Sequence, residues 1–186
     1  MVSKKAFIFH GAYGHPEENW FGWLSQKLQK ERWEVFTPRF PTPQNQTLDT
    51  WFEAFRPFDH NMRSDARIIA HSLGATFALR LLEKIDFKID SAFLVAGFTE
   101  PLGIRKFDPL NVTFLEKPFD WAKIRKNCGK FYVYGSDDDP IVKFELVEKL
   151  AKNLGTKMVF IPGAGHFNSA AGYDTFERLF IDVKNS

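Results

Sequence analysis

The sequence predicts an α/β fold built on a mostly parallel sheet, and two observations support that prediction. Short unbroken apolar segments, such as residues 6–9 and 68–70, are typical of strands that are covered on both faces. Between these segments lie stretches whose apolar residues recur at helical spacing. Because strands that alternate with helices form parallel sheets with right-handed crossovers, the loops that follow the strands are expected to meet at one edge of the sheet.

Six strands and six helices follow from this pattern when the chain is taken in order. The predicted strands cover residues 6–9, 35–37, 67–70, 92–95, 131–134 and 158–161. Apolar residues at helical spacing predict helices within residues 20–28, 48–55, 73–85, 121–124, 144–151 and 176–183. Asp120 is placed to cap the fourth helix and Gly155 to end the fifth. Residues 97–118 contain prolines and glycines without a regular period, so they are predicted to form a loop that borders a pocket.

The composition indicates one domain, residues 1–186, that is large enough to bury a core without disulfides. The single cysteine, Cys128, cannot form an internal bridge, and residues 1–9 lack the apolar stretch of a signal peptide, so a cytoplasmic location is predicted. No segment approaches the roughly 18 consecutive apolar residues of a membrane span. The net charge of +2 is spread along the chain without a basic stripe. Neither a membrane nor a nucleic acid is therefore expected as a partner.

Residues 68–75 contain the first candidate catalytic residue. An apolar strand ends at Ser72, which has the small residues Ala70 and Gly74 two positions away, and a helical pattern begins at once. A sharp turn from strand to helix requires small neighbours because the two elements press together. Such a turn exposes the serine hydroxyl and leaves the next N–H, that of Leu73, free to bind an oxyanion. Serine is also a common helix N-cap, so the pattern has a purely structural alternative.

Two further loops supply the side chains that a serine nucleophile needs. Asp137, Asp138 and Asp139 follow the fifth predicted strand, and a glycine-rich loop with His166 follows the sixth. A histidine can take the proton of the serine, and a carboxylate fixes the tautomer of the imidazole. The order serine, acid, histidine is that of the α/β-hydrolases. The residues alone leave three aspartates as candidates, two of them then being solvated turn residues, and they leave an ordinary loop histidine as the alternative for His166.

Six motifs spread over nearly the whole chain resemble those of one family, the small serine hydrolases that include human retinoblastoma-binding protein 9 and its bacterial relatives. The motifs are His10-Gly11, Trp20-Phe21-Gly22-Trp23-Leu24, Phe40-Pro41-Thr42-Pro43, His71-Ser72-Leu73-Gly74, Asp138-Asp139-Pro140-Ile141-Val142 and Gly165-His166-Phe167.

This resemblance implies a single-domain α/β-hydrolase fold without a cap domain, with about six strands in the order 2-1-3-4-5-6 and helices on both faces. It favours Asp139 as the partner of His166, with Asp138 as the alternative. In that order the first strand lies beside the third, which brings the loop of residues 10–14 to the nucleophile. The oxyanion would then be bound by the N–H groups of Leu73 and Ala12, or of Tyr13 in place of Ala12.

The predicted function is that of a cofactor-free serine hydrolase that forms an acyl-enzyme on Ser72. Its substrate is expected to be a small-molecule ester, or an amide, of a small apolar acyl group. Tyr13 and three aromatic residues of the loop, Phe98, Phe107 and Phe114, are candidates for the acyl pocket.

Three other interpretations are weaker. His10 and His15 beside the acidic loop match no metal-binding spacing, so no metal is expected. Cys128 precedes the fifth predicted strand, at the wrong end of the sheet for a nucleophile, and is expected to be a small buried residue. The alternative from another class is an α/β-hydrolase scaffold that binds a protein and whose triad is idle. No Leu-x-Cys-x-Glu segment is found to support a protein partner, and an intact triad argues against decay.

Overall fold

A parallel sheet of six strands forms the centre of the computed structural model, which describes residues 4–186. The strands are β1 (Lys5–Phe9), β2 (Glu34–Phe36), β3 (Ala66–His71), β4 (Ile89–Val95), β5 (Cys128–Gly135) and β6 (Met158–Phe160). Every neighbouring pair is parallel, and the order across the sheet is 2-1-3-4-5-6. The order implied by the family resemblance is confirmed, and β1 lies between β2 and β3.

The helices connect the strands and lie on both faces of the sheet. They are α1 (Phe21–Lys30), α2 (Leu48–Phe55), α3 (Leu73–Lys84), α4 (Asp108–Leu115), α5 (Trp121–Lys126), α6 (Phe144–Leu154) and α7 (Glu177–Asn185). Local signals set several ends: Asp120 accepts a hydrogen bond from the N–H of Lys123 at 2.9 Å, and Gly155 ends α6 with a φ of 71°. Among residues 4–186, no helix has the length and apolar character needed to cross a membrane.

Two separate hydrophobic clusters show why the strands are apolar without interruption. Along β1, Phe7 and Phe9 belong to the cluster on one face, and Ala6 and Ile8 belong to the cluster on the other. Helices α1 and α7 cover the face of Ala6, and α2 to α6 cover the face of Phe7. Because both faces are covered, every position of the central strand β3 is buried, and the alternation of a half-exposed strand does not appear there.

The prediction of an irregular loop over residues 97–118 is wrong in its middle, where α4 forms. Pro109 lies in the first turn of α4. The N–H groups of that turn have no acceptor within the helix, so a proline, which lacks the N–H, is tolerated there. The carboxylate of Asp108 accepts hydrogen bonds from the N–H groups of Leu102 at 2.8 Å and Ile104 at 3.1 Å, which ties the preceding loop to the start of the helix. Pro109 is therefore part of the start of a helix and does not indicate an irregular segment.

Candidate active site

Ser72 occupies the turn between β3 and α3 in a strained conformation. Its φ of 54° and ψ of −124° are rare for a residue other than glycine. Its N–H donates to the carbonyl of Val95 at 2.9 Å, which fixes the turn to the neighbouring strand β4. Within the described part of the chain, the hydroxyl makes no capping hydrogen bond to α3. The N-cap interpretation of Ser72 is therefore wrong.

The turn is packed so closely that it accepts only small neighbours. A Cβ atom at Gly74 would lie 2.5 Å from the carbonyl oxygen of His10 and 2.7 Å from that of Phe9. A Cβ atom at Gly11 would lie 2.9 Å from the Cβ atom of Ser72. Backbone atoms cannot give way over such distances, so the prediction that position 74 requires a small residue is confirmed. The same contacts place the loop after β1 directly against Ser72.

His166 lies on the loop after β6 and contacts one of the three aspartates. Its Nδ1 atom lies 2.8 Å from Oδ2 of Asp139, and the two side chains are 7% and 1% exposed. The other carboxylate oxygen, Oδ1, accepts hydrogen bonds from the N–H groups of Ile141 at 2.8 Å and Val142 at 3.0 Å. Because the ionised carboxylate only accepts, the proton of the imidazole lies on Nδ1, and Nε2 is left as an acceptor.

Asp137 and Asp138 are exposed turn residues, as expected, and their carboxylates also bind the neighbouring loop. Asp137 accepts a hydrogen bond from the N–H of Gly163 at 2.9 Å, and Asp138 accepts one from the N–H of Gly165 at 2.7 Å. The hydroxyl of Ser136 also donates to Asp138 at 2.6 Å, and these donors lower the pKa of Asp138. All three aspartates thus hold the loop after β6 against the loop after β5.

Two buried N–H donors hold the backbone of the His166 loop from the other side. Nε2 of His71 lies 2.8 Å from the carbonyl oxygen of His166, and the indole N–H of Trp20 donates to the carbonyl of Phe167 at 3.0 Å. Burial lowers the pKa of His71 to about 3, so its imidazole is neutral and its proton lies on Nε2. The sequence gives no signal for these contacts, because the partners are far apart in the chain.

The loop after β1 presents the N–H groups that were considered for the oxyanion. The N–H of Tyr13 donates to Oγ1 of Thr42 at 2.7 Å and is therefore occupied. Across residues 4–186, the N–H groups of Ala12 and Leu73 donate to no other protein group. Burial lowers the pKa of His10 in the same loop to about 4, and both of its ring nitrogens bind backbone groups. His10 is thus a structural residue.

Ser72 and His166 line one crevice of about 220 Å³. Tyr13 and Phe107, two of the four aromatic residues predicted for the pocket, form part of its wall, with their rings packed edge to face at 5.7 Å. Ile141 adds a further apolar surface. Phe107 and Tyr13 are therefore brought to the same crevice as Ser72, and the wall is partly aromatic.

Phe98 and Phe114 lie elsewhere, which corrects the prediction that they line the pocket. Both are buried in the core under α3 and α4, with exposed fractions of 1% and 0%. Phe114 packs against the ring of Trp51 with the centroids 4.9 Å apart. The reason is α4 itself, because a regular helix turns Phe114 toward the core where an irregular loop would leave it at the surface.

Cys128 is a small buried residue at the first position of β5, as its position in the sequence indicates. Burial raises the pKa of its thiol to about 12, so it carries no thiolate near neutral pH. It lies at the amino end of its strand, whereas Ser72 follows the carboxyl end of β3. Cys128 therefore has no part in the crevice.

Comparisons with known proteins agree on one family. A family model described as "Serine hydrolase" matches residues 6–185. The YdeN protein of Bacillus subtilis is 27% identical over all of this chain and 96% of its own, and its crystal structure superposes with a TM-score of 0.91 over 98% of this chain and 97% of that one. Serine hydrolase RBBP9 of Rattus norvegicus is 26% identical over 89% of this chain and 85% of its own.

A structure from work on the carboxylesterases of Nitrososphaera gargenis shares the fold, with a TM-score of 0.74 over 98% of this chain and 89% of that one at 12% identity. The architecture is thus that of the α/β-hydrolases, as the resemblance implied.

Proposed function

The chain belongs to the serine hydrolase family, and we propose that it is a carboxylic ester hydrolase that works through an acyl-enzyme on Ser72. The observation that carries this proposal is the contact of 2.8 Å between His166 and the buried carboxylate of Asp139, on the wall of the crevice that Ser72 also lines. Ser72 is the nucleophile, His166 is the general base and acid, and Asp139 orients the imidazole.

The reaction follows from these positions in two halves. As Oγ of Ser72 attacks the ester carbonyl, Nε2 of His166 takes the hydroxyl proton, and the carbonyl oxygen becomes an oxyanion. The N–H groups of Leu73 and Ala12, which have no other acceptor among the described residues, stabilise that oxygen. The intermediate collapses, the bond to the alcohol breaks, and the alcohol leaves with the proton from His166. Water then attacks the acyl-enzyme in the same way and releases the acid and free Ser72.

The size and lining of the crevice support a small acyl group. A volume of about 220 Å³ holds only a short chain beside the reacting carbonyl. Tyr13, Phe107 and Ile141 provide apolar contacts, as a short acyl chain requires. An ester is favoured over an amide because its carbonyl is the more electrophilic, since the nitrogen of an amide donates its lone pair into the carbonyl group. The carboxylesterases named with the structural neighbour from Nitrososphaera gargenis work on the same scaffold, which supports the choice of reaction.

A fluorophosphonate probe tests the proposal, because it reacts covalently with activated serines. Wild-type protein should be labelled, and Ser72→Ala should not. Ser64→Ala is the matched control, since Ser64 is an exposed serine in the turn before β3 and away from the crevice. Intact-protein mass spectrometry measures the added mass. Labelling that persists in Ser72→Ala, or an unlabelled wild type, would overturn the proposal.

A further inference from the structure

The segment after β2, residues 40–46, contacts the loop after β1 at two places; we call it the proline segment. The N–H of Phe40 donates to Nε2 of His10 at 2.9 Å. Two residues further along, Oγ1 of Thr42 accepts the hydrogen bond from Tyr13 at 2.7 Å. The loop that contains Ala12 is therefore held at both of its ends by one neighbouring segment.

Thr42 is itself held in one orientation by a chain of hydrogen bonds that leads from the surface into the core. Its hydroxyl donates to Oε1 of Gln46 at 2.5 Å, while its oxygen accepts from Tyr13. The amide nitrogen of Gln46 donates to the carbonyl of Leu110 at 3.1 Å and to Oδ1 of Asn111 at 3.2 Å, both in α4. Gln46 and Asn111 are 6% and 1% exposed, so the inner end of this chain is shielded from water, whereas the bond between Tyr13 and Thr42 lies at the surface.

The proline segment is also tied to the rest of the fold independently of Thr42. The indole N–H of Trp51 donates to the carbonyl of Pro41 at 2.9 Å. The N–H of Leu48 donates to Oγ1 of Thr113 at 2.9 Å, which joins the start of α2 to α4. Because these contacts remain when the hydroxyl of Thr42 is removed, a change at Thr42 acts on the loop after β1 rather than on the whole segment.

The loop after β1 forms a tight turn. The peptide that carries the N–H of Ala12 and the peptide that carries the N–H of Tyr13 are held there by different hydrogen bonds. The N–H of Gly14 donates to the carbonyl of Gly11 at 3.2 Å, and Nδ1 of the neutral His10 donates to the same carbonyl at 2.8 Å. That carbonyl shares a trans peptide with the N–H of Ala12, so the N–H points the opposite way. The next peptide carries the N–H of Tyr13, and Thr42 holds it.

Tyr13 has a φ of 60°, which costs energy in a residue other than glycine. The strain would be relieved if the peptide between Ala12 and Tyr13 rotated, because the two common forms of such a turn differ by that rotation. The hydrogen bond to Thr42 opposes it. Rotation would change the backbone between Ala12 and Tyr13 and move the ring of Tyr13, which lines the crevice, while the preceding peptide, which carries the N–H of Ala12, keeps its hydrogen bonds through the carbonyl of Gly11.

We propose that Thr42, held by Gln46, is a positioning residue that anchors the turn after β1 at the N–H of Tyr13 and so keeps the turn, with the N–H of Ala12, in place beside the crevice. This inference rests on the proposed function, since it assigns the oxyanion to Ala12. It also explains why Tyr13 is not the donor, because its N–H is used to hold the turn. The chain of bonds continues to α4, which begins one residue after the crevice residue Phe107.

The test compares Thr42→Val, which keeps the shape but loses the hydroxyl, with Thr42→Ser, which keeps the hydroxyl. Thr113→Val is the matched control, because it removes a threonine hydroxyl of the same region that does not contact the loop after β1. The measurements are kcat and KM for p-nitrophenyl acetate and the rate of fluorophosphonate labelling. Thr42→Val should lower kcat and the labelling rate by about 10- to 100-fold with KM changed by less than about twofold. Thr42→Ser should restore most of the loss, and Thr113→Val should resemble wild type.

Two further measurements keep the proposal open to refutation if Thr42→Val is poorly folded. Gln46→Met keeps the hydroxyl of Thr42 but removes its support, together with the hydrogen bonds from Gln46 to α4, and should lower kcat in the same direction without a matching change in KM. Amide hydrogen exchange of Tyr13, followed by NMR, should be faster in Thr42→Val and Gln46→Met than in Thr113→Val. This readout does not depend on activity.

The other possible results distinguish a failure of the role of Thr42 from a failure of the proposed function. A labelled wild type with an equally reactive Thr42→Val would overturn the role of Thr42 and leave the proposed function intact. The same holds if Thr42→Ser is as slow as Thr42→Val, or if only KM changes. A wild type that is neither labelled nor active on the ester would overturn the proposed function, and the role of Thr42 with it.

Discussion

The two sides of the crevice are held in different ways. On the histidine side, the loops after β5 and β6 are joined by three aspartates, each of which accepts from a backbone N–H or from the imidazole. On the oxyanion side, the hydrogen bonds of His10 and Thr42 that join the loops after β1 and β2 next to Ala12 are made by neutral groups, and an exposed ion pair between Glu17 and Arg39 joins the same loops further along the chain. The side with His166 thus has a carboxylate in direct contact with the imidazole, whereas the turn that contains Ala12 is held by neutral hydrogen-bonding groups.

The largest effect is expected when the histidine side loses the carboxylate of Asp139. Asp139→Asn should lower kcat by about 10³- to 10⁴-fold, because an amide cannot hold the imidazole in the required tautomer or stabilise its charged form. Asp138→Asn is the matched control, since Asp138 is an adjacent aspartate that binds backbone rather than His166. Its loss should be less than about tenfold. Steady-state ester hydrolysis measures both, and equal losses would contradict the distinction between the two residues.

Acid should weaken both sides, since each contains one buried neutral histidine. Burial lowers the pKa of His10 to about 4 and that of His71 to about 3. The unfolded chain binds these protons near pH 6.5, so the unfolded state gains protons first as the pH falls. The free energy of unfolding should therefore decrease between about pH 6.5 and 4, by on the order of 2 to 3 kcal/mol per histidine, and be insensitive to them above pH 7.

Urea denaturation at pH 7 and pH 4.5 measures this difference. Folded states of equal stability at the two pH values would show that the imidazoles are charged or accessible in the native protein.

A smaller effect is expected when the histidine side loses its backbone support. His71→Leu removes the N–H that binds the carbonyl of His166 and leaves that buried carbonyl unpaired. The free energy of unfolding should fall by about 1 to 3 kcal/mol. Chemical denaturation measures it, with His60→Leu as the control because His60 is an exposed histidine. A stability equal to wild type would mean that the hydrogen bond contributes nothing.

The smallest effect concerns the wall that the oxyanion side presents to the substrate. Phe107→Ala should lower kcat/KM for a short apolar acyl ester by about tenfold, because an apolar contact with the substrate is lost. Val112→Ala is the control, since Val112 is an exposed residue of the adjoining helix α4. Hydrolysis of acetate and butyrate esters compares the two variants. No change in either ester would indicate that the acyl group binds elsewhere in the crevice.

The sequence predicted those features that depend on local patterns. The apolar strands, the small residue at position 74 and the loops that carry Ser72 and His166 all follow from short segments. The strand order and the preference for Asp139 came from the family resemblance, because spacing alone does not distinguish three adjacent aspartates.

What the sequence did not predict depends on contacts between distant segments. Tyr13 and Thr42 are 29 positions apart, and His71 and His166 are 95 apart, so no periodicity relates them. Helix α4 was missed since Pro109 has opposite meanings at the first turn of a helix and in its interior. That error also misplaced Phe114, whose direction depends on the helix.

The position of β1 between β2 and β3 affects how the protein is made. Parallel neighbours are joined by long crossovers, so assembly of the sheet requires distant parts of the chain to meet, and such topologies fold slowly. The loop with His166 follows β6, which the ribosome produces last of the strands. During refolding, enzyme activity should thus appear after most of the circular dichroism signal of the helices has returned. Activity requires β6 and the loop with His166 to be in place at the edge of the sheet.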